Sequence, residues 1–221
     1  YSIYGIFGQQ IDKFKYQFGL RLEKAFQIPE LHSDGASIPN IYFNAFPSAH
    51  IKYALNERNE FGFSYSRRIS RARAGQLNPF TNYADPFNLR RGNPYLQPEY
   101  IHSFDFAYTL EKKIFSISSS LYYRRSVGVI SRVKEFYDDN TSAMTYENLS
   151  STNALGTEVV LLFKPFPFWR TTASFNGNLV EYYTDLQGLS NATGAYVKAK
   201  FNTALDFWKK TASFQASYGY N

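Results

Sequence analysis

The segment His102-Ser103-Phe104-Asp105-Phe106-Ala107-Tyr108-Thr109-Leu110-Glu111 decides how this chain folds. Phe104, Phe106, Tyr108 and Leu110 share one side of an extended backbone, and Ser103, Asp105, Thr109 and Glu111 share the other. Successive Cβ atoms of a strand point to opposite faces, whereas a helix would scatter those four apolar residues around its axis. The same period sets Tyr16, Phe18, Leu20 and Leu22 against Lys15, Gln17, Arg21 and Glu23. It sets Phe115, Ile117, Leu121 and Tyr123 against Ser116, Ser118, Ser120 and Arg124. Near the end, Val197, Ala199, Phe201 and Leu205 oppose Lys198, Lys200 and Asn202, and Phe214, Ala216, Tyr218 and Tyr220 oppose Ser213, Gln215 and Ser217. Similar alternation covers 3–10, 48–55, 60–68, 155–163 and 170–182, which predicts about ten strands, and no segment has helical periodicity.

The connections alternate in length. Short polar turns are expected near Gln10–Phe14, Asn56–Asn59, Glu111–Lys113, Lys164–Phe168 and Phe207–Lys210. Between them lie long connections near 24–47, 69–101, 133–148 and 184–194. Two-faced strands with short turns at one end and long loops at the other describe an antiparallel transmembrane β-barrel of the outer-membrane type. Hydrocarbon demands that every backbone N–H and C=O be paired within the protein, and a closed sheet achieves this. A soluble antiparallel sandwich or barrel also alternates, but its turns recur without a strict short-long rhythm. Tyr42, Tyr95, Tyr100, Tyr122, Tyr123, Trp169, Tyr182, Tyr183 and Trp208 gather near the expected strand ends, as interfacial aromatic girdles do.

Composition agrees. Phenylalanine (21), tyrosine (19) and tryptophan (2) make 19% of the 221 residues, equal to the charged share. The mean hydropathy is nevertheless −0.40, since alternation makes half of every strand polar. Val159-Val160-Leu161-Leu162-Phe163 is among the longest apolar runs, far short of the roughly 20 residues of a spanning helix. No cysteine is present, which excludes disulfides, thiolate metal sites and cysteine nucleophiles. The chain starts at Tyr1 without a visible signal peptide, so a processed chain or a fragment is expected.

Catalytic signatures are missing: there is no Gly-x-Ser-x-Gly elbow and no glycine-rich phosphate cradle. His32, His50 and His102 lack metal-ligand spacing, and Asp138-Asp139 reads as a solvated loop tip. Neither an enzyme nor a resident cofactor is expected. The net charge of +6 does not point to nucleic acid, because Lys13, Lys112, Lys113, Lys164, Lys209 and Lys210 spread over the short turns. Arg67, Arg68, Arg71, Arg73, Arg90 and Arg91 do cluster, in or beside the longest connection. Guanidinium forks suit carboxylates and phosphates, so these six are candidates for contact with an anionic ligand or lipopolysaccharide phosphates, against a rim that is solvated or salt-bridged internally. The polar strand faces, with Ser64, Ser66, Ser116, Ser118, Ser120, Ser174, Asn176 and Asn178, suit a hydrated lumen.

The most specific stretch is Leu77-Asn78-Pro79-Phe80, then Asp85-Pro86, then Gly92-Asn93-Pro94-Tyr95-Leu96-Gln97-Pro98-Glu99-Tyr100. Asn-Pro and Asp-Pro start turns, and the prolines keep the last run extended, so it should hug a wall before a strand begins. Gly92-Asn93-Pro94-x-Leu96-x-Pro98-Glu99 ahead of an alternating strand resembles the signature of TonB-dependent outer-membrane receptors, and the surroundings resemble their Bacteroidetes-type outer-membrane β-barrel branch. Gly19-Leu20-Arg21-Leu22-Glu23, Phe46-Pro47-Ser48-Ala49-His50, Phe63 to Arg71, Leu121 to Arg125, Asn148-Leu149 and Gly156-Thr157-Glu158 continue the likeness, from about residue 15 to about 165. One departure is Ala72, where family members commonly carry proline. The resemblance implies a barrel of about 22 strands with a plug domain, driven by TonB, that imports a scarce nutrient. By that standard residues 1–221 form one partial barrel domain without plug or TonB box. A plug-less porin or structural barrel is the alternative, with a small self-closing barrel of about ten strands as its geometric form.

Overall fold

The computed structural model describes residues 1–27, 40–137, 140–184, 191–207 and 211–221. The strands are β1 (Ser2–Ile11), β2 (Phe14–Gln27), β3 (Asn40–Asn56), β4 (Asn59–Ser70), β5 (Asn88–Arg90), β6 (Glu99–Glu111), β7 (Phe115–Phe136), β8 (Ser142–Phe166), β9 (Trp169–Thr184), β10 (Ala192–Phe207) and β11 (Ala212–Tyr220). All but β5 form one antiparallel meander in which each strand pairs with the next long strand of the chain. β5 lies off this path and pairs parallel with β8. Among the described residues β1 and β11 end the sheet without pairing to each other, so the self-closing small barrel is not the form adopted.

The register turns the alternation of single strands into continuous rows. Phe7, Phe18, Ala49, Tyr65, Phe104, Tyr123, Leu155, Leu179 and Ala195 stand side by side on one face. One residue along, Gly8, Gln17, His50, Ser64, Asp105, Tyr122, Gly156, Asn178 and Tyr196 form a row on the other face. The first face leaves Phe7, Phe18, Phe104, Leu155 and Leu179 exposed, an apolar surface with no protein against it. Such a surface needs a solvent other than water.

Several strands run further than the alternation suggested. The stretch 133–148 is mostly ladder: β7 and β8 pair from Val133↔Thr145 to Phe136↔Ser142, leaving only a tight connection. Residues 24–27, 40–47, 184 and 192–194 likewise belong to strands, while the remainder of those expected loops lies largely outside the described residues. The ladder continues there on backbone pairing, which period-two patterning does not register. Within 71–98 a single helical turn, α1 (Ala74–Leu77), interrupts the all-β pattern.

The aromatic girdle needs correction too. Tyr42 and Tyr122 lie on the polar face and are buried, at 7% and 8% exposure. Tyr122 covers Gly156 of the neighbouring strand, whose hydrogen occupies the space a Cβ would need: a Cβ there would approach the Tyr122 ring to 2.3 Å. Tyr95 belongs to the loop, and Trp208 lies outside the described residues.

Candidate functional site

The buried residues collect at the long-connection end of the sheet, around the loop 71–98. Leu77 and Leu96 of the loop are 5% and 1% exposed, and Phe46 and Ser103 of the strands 6% and 2%. Three turns of one kind shape the loop. In Asn78-Pro79, Asp85-Pro86 and Asn93-Pro94 the side-chain oxygen accepts the N–H two residues on, from Phe80, Phe87 and Tyr95, at 3.0, 3.0 and 2.9 Å. Proline at the intervening position presets the backbone and has no N–H that would compete. At Asp85, the Asn88 amide and then the Phe87 N–H hold the carboxyl below its ordinary range.

Gly92 and Asn93 then cross the end of α1. The Gly92 N–H donates to the Asn78 carbonyl and the Asn93 N–H to the Gln76 carbonyl, each at 2.7 Å. The approach is so close that a Cβ on Gly92 would meet backbone atoms of residues 76 and 78 at 2.5–2.7 Å. Glycine is the residue that fits. Asn93 Nδ2 also donates to the Tyr146 carbonyl of β8 (3.0 Å), tying the loop to the sheet.

The strongest tie is Asn148. Its Oδ1 accepts the Gln97 N–H (2.8 Å), while Nδ2 donates to the carbonyls of Gln97 (2.8 Å) and Gly128 (2.7 Å). One amide therefore pairs with both backbone groups of Gln97, as a neighbouring strand would. Gly128 has φ +70° and sits in a β-bulge between Val127 and Val129, the left-handed conformation that glycine tolerates. Just past the bulge, Glu99 Oε1 accepts the Ile130 N–H (2.8 Å). The signature residues Asn78, Pro79, Gly92, Asn93, Pro94, Leu96, Pro98 and Glu99 thus lie along a loop clamped onto the outer half of β7 and β8. In the sequence, the resemblance marks Asn148 without a role, and no local pattern marks Gly128 or Arg132.

The six candidate arginines separate. Arg71 and Arg21 both pair with Glu23, Arg91 pairs with Glu135 (2.9 Å), and Arg68 donates to Ser103 Oγ (3.1 Å). Arg67 stacks on Tyr100 (4.6 Å) and donates to the Ala45 carbonyl (3.1 Å). Arg73 precedes α1, and its N–H donates to Gln76 Oε1 (2.8 Å). Arg90 and Arg91, with Arg132 of β7, border a cavity of about 330 Å³ that Phe80, Asn82, Met144 and Tyr146 also line. Arg132 lies over the Tyr146 ring (6.0 Å), and neither it nor Arg90 is in an ion pair among the described residues. Of the histidines, His50 is on the polar face, His102 Nδ1 meets Tyr65 Oη (3.0 Å), and His32 lies outside the described residues, as do Asp138 and Asp139. No group of three or more metal-ligating side chains converges among the described residues.

The profile of the outer membrane protein beta-barrel family matches residues 1–221. The chain belongs to that family. No curated protein matches it by sequence. Among solved structures the barrel is similar to the siderophore receptor PirA from Pseudomonas aeruginosa, with TM-score 0.64 and 13% identity over 94% of this chain and 42% of that one. It is similar to the FrpB iron transporter from Neisseria meningitidis (F5-1 variant), with TM-score 0.63 and 12% identity over 99% and 37%. The copper transporter OprC gives 0.62 and 10% over 94% and 40%. At such identities the shared property is the fold, and the chain spans less than half the length of these structures. In the outer membrane of a Gram-negative cell the apolar face meets lipid and the polar face turns inward. Short turns belong to the periplasmic end and long connections to the extracellular one.

Proposed function

We propose that this chain is the barrel segment of a TonB-dependent receptor that imports a scarce nutrient such as a metal chelate. Arg90, Arg91 and Arg132 are its contacts to an anionic group of the cargo. The observation that carries this reading is the cavity at the long-connection end in which Arg90 and Arg132 are in no ion pair among the described residues, beside Phe80 and Tyr146. Guanidinium forks recognise carboxylates and phosphates two bonds at a time, and the flanking rings suit a flat organic chelator. Likeness of fold to siderophore, iron and copper transporters supports the class. In the whole protein the serine- and asparagine-rich inner wall would enclose a plug domain, and the TonB complex would supply the energy. Transport, not catalysis, is the activity.

The test is uptake by cells carrying the full-length gene, with a labelled ferric chelate as probe. Saturable uptake that vanishes on deletion of tonB is expected, with Arg90→Glu/Arg132→Glu weakening affinity about tenfold. Charge reversal at Arg73 should leave affinity unchanged. Non-saturable, TonB-independent permeation would establish the plug-less porin instead.

A further inference from the structure

The outward face carries a second cationic feature. Arg67 of β4, His102 of β6 and Arg125 of β7 are direct cross-strand neighbours, followed by Asn153 of β8 and Glu181 of β9. This row stands one step outward of Tyr65, Phe104, Tyr123 and Leu155, on the same lipid-facing side. Its height can be judged from β6. Leu110, beside a periplasmic turn, and His102 are eight residues apart, about 26 Å along a strand at ~3.3 Å per residue. With strands tilted by ~40° that is about 20 Å along the membrane normal, near the upper margin of an apolar band about 25 Å tall. Basic side chains on the lipid side at this height face the phosphate layer of the outer leaflet.

The donors there are held in place and only partly used. Tyr65 Oη engages His102 Nδ1 (3.0 Å), which leaves Nε2 to face away from the tyrosine. Arg67 Nη1 donates to the Ala45 carbonyl, its plane rests on Tyr100 and its Nε is buried, which leaves Nη2 as the donor without a partner among the described residues. Arg125 is exposed, and its side chain makes no hydrogen bond or ion pair among the described residues. Glu181, the acid at the far end of the row, accepts from Tyr183 Oη (2.6 Å), and Asn153 separates it from Arg125.

We propose that Arg67, His102 and Arg125 form a binding site for a phosphate of a glycolipid headgroup, the lipid A portion of lipopolysaccharide, on the outer wall of the barrel. Two guanidinium groups flanking an imidazole across three adjacent strands span about 10 Å, since strands lie about 4.8 Å apart. That spread fits one phosphate and its sugar, with the acyl chains lying down the Phe104–Phe106 face. The site is separate from the cavity bordered by Arg90 and Arg132 and does not depend on what the receptor imports.

The full-length protein, purified folded in detergent, is titrated with bisphosphorylated lipid A, with dephosphorylated lipid A and with inorganic phosphate, and bound lipid is counted by native mass spectrometry. Lipid A should bind Arg67→Gln/Arg125→Gln at least about tenfold more weakly than wild type, and Arg125→Gln alone about threefold more weakly. Arg125→Lys should recover most of the loss, and the dephosphorylated lipid should bind wild type no better than the double variant. Heat-modifiable gel mobility reports folding; if the double variant fails to fold, Arg125→Gln decides. Equal binding by wild type and Arg125→Gln would overturn the site. Equal binding of the two lipids would reduce it to acyl-chain contact. Displacement of lipid A by millimolar inorganic phosphate would reassign it to a soluble anion.

Discussion

The membrane-spanning half of the sheet and its extracellular half are built from the same strands by different means. Between Leu110 and Phe104 on β6, and alongside on β4 and β7, pairing is unbroken, and side chains of one face meet only lipid and their lateral neighbours. The side-chain hydrogen bonds there, Tyr108 Oη to Asn59 Oδ1 (2.7 Å) and Ser64 Oγ to Asp105 Oδ2 (3.5 Å), join strands that the ladder already pairs. Outward of that zone the ladder bulges at Gly128, β7 and β8 continue as a hairpin, and a long loop is fastened to them by Asn93, Asn148 and Glu99. The contrast is between stability spread over many equivalent pairs and stability concentrated in a few polar contacts. The first tolerates exchange of one apolar group for another; the second depends on atoms that have no substitutes.

Substitutions can test that contrast, beginning where the effect is greatest. Gly92→Val in the full-length protein forces a side chain against backbone on two sides and should detach the loop, at a cost of more than about 3 kcal/mol. Limited proteolysis within 71–98, unchanged elsewhere, is the readout; a protease-resistant loop would refute the close-packing account. Asn148→Ala removes three hydrogen bonds at once, about 3 kcal/mol at roughly 1 kcal/mol each, and should raise hydrogen exchange at the Gln97 amide by two or more orders of magnitude. Exchange at Phe106 should not change.

On the spanning side, Phe106→Lys brings a charge to mid-height of the lipid face and should lower folding stability in vesicles by about 2 kcal/mol, the lower end expected of a side chain that can snorkel. Phe106→Leu should cost less than about 1.5 kcal/mol. If the two cost the same, this face does not meet hydrocarbon. The smallest effect concerns Asp85. Its folded-state pKa is depressed, chiefly by the Asn88 amide, so the contribution of the ionised carboxylate is present above the ordinary value of 3.8 and fades as pH falls through the lower folded value. An NMR titration of the Asp85 carboxyl should give a midpoint below 3.8, and Asn88→Ala should move it upward.

The sequence alone determined the two-faced strands, their approximate number, the short turns such as Asn56–Asn59 and the three Asx-Pro turns, because each depends on residues next to one another in the chain; the long connection expected over 133–148 is instead mostly ladder. The resemblance marked Gly92, Asn93 and Asn148 but could say nothing of what they touch. Only the tertiary structure decided that Asn148 reads the backbone of Gln97 across 51 positions, that Tyr122 faces inward over Gly156, that β5 joins β8, and that Arg67 turns to the lipid while Arg90 borders a cavity with Arg132. Those facts follow from register and from an irregularity that leaves Gly128 and Leu149 outside the β7–β8 ladder. Period-two patterning gives the face of a side chain within its own strand; only pairing between strands says which atoms lie beside it.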